Sequence, residues 1–119
     1  MKKIGVIGSL NMDTFIQLKK IPEEGENIFA EAIKNDFGGK GGNSAIALKK
    51  MGCDVMFYGC VGNDYNARLI KKNLENYGIR TSDIKISEKN NTGTAYILLE
   101  KNGNNRIIVD PGANEDIDR

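Results

Sequence analysis

Apolar and polar positions follow two different rhythms along this chain, and the switches between them lay out its elements. Residues 4–7 (IGVI) are a short apolar run closed by Gly8 and Ser9. Such a run predicts a strand buried on both faces, as in a parallel sheet. Residues 55–60 (VMFYGC) are a second run of this kind, and residues 84–86 a short third. Between the runs, apolar residues recur at helical spacing: Ala45, Ile46, Leu48 and Met51, then Ala67, Leu69, Ile70, Leu74 and Tyr77. The first pattern predicts a helix over 43–51 that stops at Gly52. The second predicts a helix capped by Asp64 and ended by Gly78. The βαβαβ order implies a parallel sheet with right-handed crossovers.

Two stretches interrupt this plan. Residues 14–18 and 27–33 are strand-like but too polar to be covered on both faces, and Pro22 and Gly25 punctuate the loop between them. Residues 94–100 and 105–110 flank Asn102-Gly103-Asn104, a strong hairpin signal. The two excursions are expected to pair into one small sheet beside the main one. That sheet could fold over a ligand and exclude water, or it could be an ordinary edge extension.

The chemistry concentrates where the second excursion strand gives way to the first helix. Phe37-Gly38-Gly39-Lys40-Gly41-Gly42-Asn43 sets four glycines in five positions around one lysine. Glycine lets a backbone approach a ligand closely, and a helix start leaves N–H groups unpaired. With Lys40 and Asn43 set into it, the turn suits a polar or anionic small molecule. It is not a Walker A loop, because Gly41 follows Lys40. It is not the dinucleotide fingerprint, because Ser44 stands where the third glycine would be. Asn11 and Asp13 follow the first strand, at the end where open α/β sheets hold ligands. An amide and a carboxylate there suit hydroxyl groups, although a plain Asx turn would use the same residues.

Composition narrows the classes. The chain has 119 residues, 39% hydrophobic and 28% charged, which reads as one modest globular domain. A net charge of +1 favours neither nucleic acid nor an anionic membrane. There is no histidine, and the two cysteines, Cys53 and Cys60, make no zinc pattern. They read as free thiols in a reducing, cytoplasmic setting. The N-terminal apolar stretch is too short for a signal peptide or a membrane span.

Taken together, Gly8-Ser9-Leu10-Asn11-Met12-Asp13, Gly38-Gly39-Lys40-Gly41-Gly42-Asn43, Gly62-Asn63-Asp64, Thr92-Gly93 and Gly112-Ala113-Asn114 resemble the ribokinase-like, PfkB-type carbohydrate kinases in order and spacing. The resemblance runs along the whole chain but covers only the N-terminal part of a member. It implies an α/β fold: a Rossmann-like parallel sheet with helices on its faces, plus a small β-sheet lid, incomplete at the C-terminal side. The lid segments would lie at about residues 12–37 and 92–110 of a single unit over 1–119. It implies transfer of the ATP γ-phosphoryl group to the 5-hydroxyl of D-ribose, with Mg²⁺ as cofactor and a homodimer clasped through the lids. By resemblance the sugar site holds Asn11, Met12, Asp13, Gly39, Lys40, Gly41, Gly42 and Asn43, with Ala95 and Val109 near the sugar from the lid.

This sequence departs from the family in having Gly42 for the usual Ala and Ser44 for the usual Gln. The family's catalytic Asp, in a Gly-Ala-Gly-Asp motif, has no counterpart here, nor do most ATP-binding segments. The expectation is therefore a chain with sugar-binding and lid residues and no catalytic residue, part of a longer protein and inactive alone. Other sugar or nucleoside kinases of the same family remain alternatives, and so does a non-catalytic sugar-binding or dimerisation module.

Overall fold

A computed structural model describes residues 2–117. In chain order its elements are β1 (Lys3–Ile7), β2 (Asn11–Leu18), β3 (Ala32–Gly38), α1 (Lys40–Lys50), β4 (Asp54–Gly62), α2 (Tyr65–Asn76), β5 (Ile84–Ser87), β6 (Gly93–Glu100), β7 (Asn105–Asp110) and a short 3₁₀ helix, Gly112–Asp116. The strands make two sheets. The first is parallel, in the order β1-β4-β5. The second runs β3-β2-β6-β7, with β2 and β6 parallel and both outer pairs antiparallel. The two excursions thus do pair into one sheet, joined at its centre by the β2–β6 ladder.

Both helices end in the same way. After α1, the N–H of Gly52 donates to Lys49 O and that of Cys53 to Leu48 O, with Gly52 at φ 93°. After α2, Gly78 and Ile79 donate to Glu75 O and Leu74 O, with Gly78 at φ 82°. These are Schellman closures, in which glycine takes the left-handed position without a Cβ penalty. Each sends the chain straight into the next parallel strand segment.

Val55, Phe57 and Val61 alternate along β4 and share one face. Ala45 of α1 and Ala67, Ile70 and Leu74 of α2 join them in one buried cluster, with Leu10, Met12, Ile79 and Ile84. The core therefore lies on one face of the parallel sheet. This corrects the expectation for β1, whose burial alternates and whose Ile7 is 72% exposed. An apolar run cannot say which of its faces receives a helix, and here both helices pack on the same one.

Three boundaries also move. The strand expected at 27–33 lies at Ala32–Gly38. Phe29, inside the expected span, is 97% exposed, and the polar run Lys34-Asn35-Asp36 is accommodated on an outer strand. The strand expected from residue 14 begins at Asn11, and the helix expected from residue 43 begins at Lys40. Each shift draws the chemistry-bearing residues into regular structure. No helix among the described residues is long and apolar enough to cross a membrane.

Candidate functional site

The site is built where β2 begins, β3 ends and α1 starts. Asn11 and Asp13 are two apart on β2, so their side chains share a face, while Met12 points the other way. Met12 is 4% exposed and sits in the core cluster, so its side chain supports the strand from beneath. Register sets the neighbours. Asn11 lies between Gly38 of β3 and Gly93 of β6. Asp13 lies between Asp36 and Ala95, and Ala95 in turn pairs with Val109. Two glycines and an alanine therefore flank the amide and the carboxylate, and leave room above them.

The Asp13 carboxylate accepts no hydrogen bond from any described residue. It is half-buried, and a Cβ added at Gly38 would overlap it. Burial, and then the Asp36 carboxylate across the strands, push its pKa above the usual carboxylate range. A partly desolvated, unpaired acceptor is costly unless something donates to it. Its surroundings therefore favour a ligand that brings O–H groups.

The glycine turn has a different use from the one its composition suggests. A Cβ on Gly41 would stand 2.7 Å from the Gly8 backbone, and one on Gly39 2.6 Å from Ser9 O. Gly42 donates its N–H to Ser9 O at 3.1 Å and faces Leu10. Gly41 and Gly42 are buried in the first turn of α1. These glycines let the start of α1 pack directly on the 8–11 segment, which brings the turn against Asn11. Gly39, at φ 95°, caps the helix without a side-chain hydrogen bond. Lys40 and Asn43 follow, three apart on one helical face and exposed. Neither side chain has a partner among the described residues.

Sequence reasoning gave no role to the residue that holds Asn11. The Asn114 side chain accepts from Leu10 N–H at 2.9 Å, and its Nδ2 donates to Leu10 O at 3.2 Å and to Asn11 Oδ1 at 2.7 Å. The two asparagines are 103 residues apart, so only topology brings them together. A Cβ on Gly93 would overlap this contact, and one on Gly112 would overlap Asn91 O. Nearby, Asp64 caps α2 by accepting from Ala67 N–H at 2.9 Å, as the sequence predicts. It also accepts from the Thr92 N–H at 2.8 Å and the Thr92 hydroxyl at 2.6 Å, which ties the start of β6 to α2.

A separate cleft of about 650 Å³ lies by β5 and the 3₁₀ helix. Its Asp116 already accepts from Ser87 and Asn90, unlike Asp13.

Comparison with known proteins matches this arrangement. The family model described as "pfkB family carbohydrate kinase" matches residues 1–119. The ribokinase of Bacillus subtilis (strain 168) is 38% identical over 117 residues, covering 98% of this chain and 40% of the relative. The deoxyribokinase of Salmonella typhimurium is 38% identical over 121 residues, again covering 98% and 40%. The solved ribokinase of Arabidopsis thaliana, complexed with ribose and ATP, superposes with a TM-score of 0.88 at 32% identity, over 95% of this chain and 36% of that one. The chain spans about two-fifths of the length of each of these two curated relatives. Family model, relatives and fold agree, and the chain belongs to the pfkB family of carbohydrate kinases.

Proposed function

We propose that the protein carrying this chain is an ATP-dependent kinase that phosphorylates D-ribose to D-ribose 5-phosphate, and that residues 1–119 supply its sugar-binding part and β lid. The observation that carries this reading is the Asp13 carboxylate, unpartnered and half-buried beside Asn11 over a floor of Gly38, Gly93 and Ala95. Adjacent sugar hydroxyls both donate and accept. Asp13 accepts from them, and the free Nδ2 of Asn11 donates to them. Lys40 and Asn43, with the backbone of Gly39 and Gly41, fix further hydroxyls from the α1 side, whereas the Gly42 N–H is already given to Ser9 O. A site built of such groups rejects analogues that leave them unpaired.

The lid role of residues 12–37 and 92–110 belongs to the same proposal. Val109 and Ala95 share the row of Asp13, so closure of this sheet would lay an apolar strip beside the sugar and exclude water. A homodimer through this sheet is supported by Ile33, Ile107 and Ile108, which are exposed on its outer strands. The free Cys53 and Cys60 support a cytoplasmic location.

In the reaction a bond between the γ-phosphorus of ATP and its bridging oxygen breaks, and one to the sugar 5-oxygen forms. The residues here bind and orient the sugar, and none is assigned as the base that takes its proton. Mg²⁺ would neutralise phosphate charge in this chemistry. Among the described residues no group of three or more His, Cys, Asp or Glu side chains is placed to hold it. A deoxyribose kinase is the second reading, favoured by the equal identity to the Salmonella deoxyribokinase.

Ribose-dependent ADP release by the full gene product tests the proposal. We expect turnover with ribose, and none from residues 1–119 alone. Turnover with 2-deoxyribose only would favour the second reading, and no sugar-dependent ADP release would overturn both.

A further inference from the structure

We propose that Asn114 is a positioning residue that fixes the Asn11 amide with its Nδ2 toward the ligand, making position 11 a hydrogen-bond donor. This rests on the sugar-binding reading of Asn11 and Asp13. An asparagine amide is ambiguous, because a half-turn of its plane exchanges donor and acceptor. Here the ambiguity is removed by three contacts. Asn114 accepts from Leu10 N–H, so its oxygen and nitrogen cannot trade places. Its Nδ2 then donates to Leu10 O and to Asn11 Oδ1. With Oδ1 engaged at 2.7 Å, Asn11 presents Nδ2 outward, where no described residue meets it. Two residues along the same face stands Asp13, which can only accept when ionised.

The pair is thus one donor and one acceptor on a shared face. Two neighbouring hydroxyls satisfy it, one accepting from Asn11 and one donating to Asp13. If Asn11 presented its oxygen instead, both hydroxyls would have to donate, one to each acceptor, and neither would have a proton left for another partner. The arrangement is built rather than incidental. Gly93 carries no side chain where a Cβ would strike both Asn114 Nδ2 and Asn11 Oδ1, and Gly112 turns the chain at φ 51° into the 3₁₀ helix that bears Asn114.

The test uses the full gene product with Asn114→Asp, Asn11→Ala and the double variant. Asn114→Asp keeps the acceptor for Leu10 N–H but sets a carboxylate against Asn11 Oδ1, so the Asn11 amide should turn over. Ribose affinity by calorimetry should fall about tenfold. In the Asn11→Ala background the same change should cost less than about twofold, because coupled residues are non-additive. Gly93→Ala, whose Cβ would strike Asn114 Nδ2 and Asn11 Oδ1 together, should weaken ribose similarly and serves if Asn114→Asp does not fold. Unchanged affinity in Asn114→Asp, or an equal loss with Asn11 already removed, would overturn the inference. If the unaltered protein binds no ribose, the sugar reading fails and asparagine-selective ¹⁵N NMR decides alone. The Asn11 side-chain amide signals should then shift in Asn114→Asp and in Gly93→Ala, and unmoved signals would overturn the inference.

Discussion

Asp13 and Asp64 are both half-buried carboxylates near the start of a helix, and the fold treats them in opposite ways. Asp64 caps α2 and accepts three hydrogen bonds, from Ala67 N–H, Thr92 N–H and the Thr92 hydroxyl. Burial by itself would raise its pKa, but these bonds and the nearby Arg68 outweigh it and hold the carboxyl below the usual range. Asp13 stands beside the turn into α1, receives no such bond, and is raised by burial and by Asp36. One carboxylate is consumed in joining α2 to β6. The other is kept unsatisfied beside small residues, at a cost to folding that a ligand can offset. On the proposed reading, the contrast separates a group that serves structure from one left for a ligand.

The comparison can be broken first at its structural half. Asp64→Ala leaves three donors without their acceptor and should destabilise the protein by about 3 kcal/mol, read by denaturant unfolding. A loss under about 1 kcal/mol would mean that this carboxylate is not the clamp described. Because the folded-state pKa of Asp64 is lowered, its contribution is present above the unfolded-state value and lost as pH falls through the folded one. The gap to Asp64→Asn should therefore close on acidification. Next in size, Gly41→Ala should cost about 2 kcal/mol, since its Cβ meets the Gly8 backbone rather than a movable side chain. A neutral result would detach the glycine turn from the packing role given to it. The smallest effect has the opposite sign. Asp13→Asn should stabilise the ligand-free protein by about 0.5 kcal/mol near neutral pH, by removing a charge opposed to Asp36. As the folded-state pKa of Asp13 is raised, that gain is full above it and fades as pH falls toward the ordinary Asp value.

How much of this was legible in the sequence depends on whether a feature is local. Helix stops at Gly52 and Gly78, the Asp64 cap and the Asn102-Gly103 hairpin all follow from a few adjacent residues, and each stands where expected. The pairing of the two excursions was also readable, because neither fits the alternating α/β plan. The misplaced strand had no such signature: Ile28 and Phe29 imitate a strand, while the real one carries Lys34, Asn35 and Asp36 on an outer position. The glycine turn was located correctly, but its glycines answer to Gly8, Ser9 and Asp13, contacts that no local pattern displays. Asn114 was invisible as a partner of Asn11 for the same reason. Of the residues expected at the site, Asn11 and Asp13 share a face against Gly38 and Gly39, Lys40 and Asn43 share the opening turn of α1, and Met12 is turned into the core.

The most direct test of the account is calorimetric binding of ribose to the full gene product and to its Asp13→Asn variant, from neutral pH downward. We predict that the variant binds on the order of 100-fold more weakly at neutral pH, while folding at least as stably. The unaltered protein should lose affinity on acidification as Asp13 is protonated, starting above the pH at which an ordinary aspartate would act. Ribose binding of equal strength in both proteins would contradict the claim that an unsatisfied Asp13 is what this fold holds ready for a sugar.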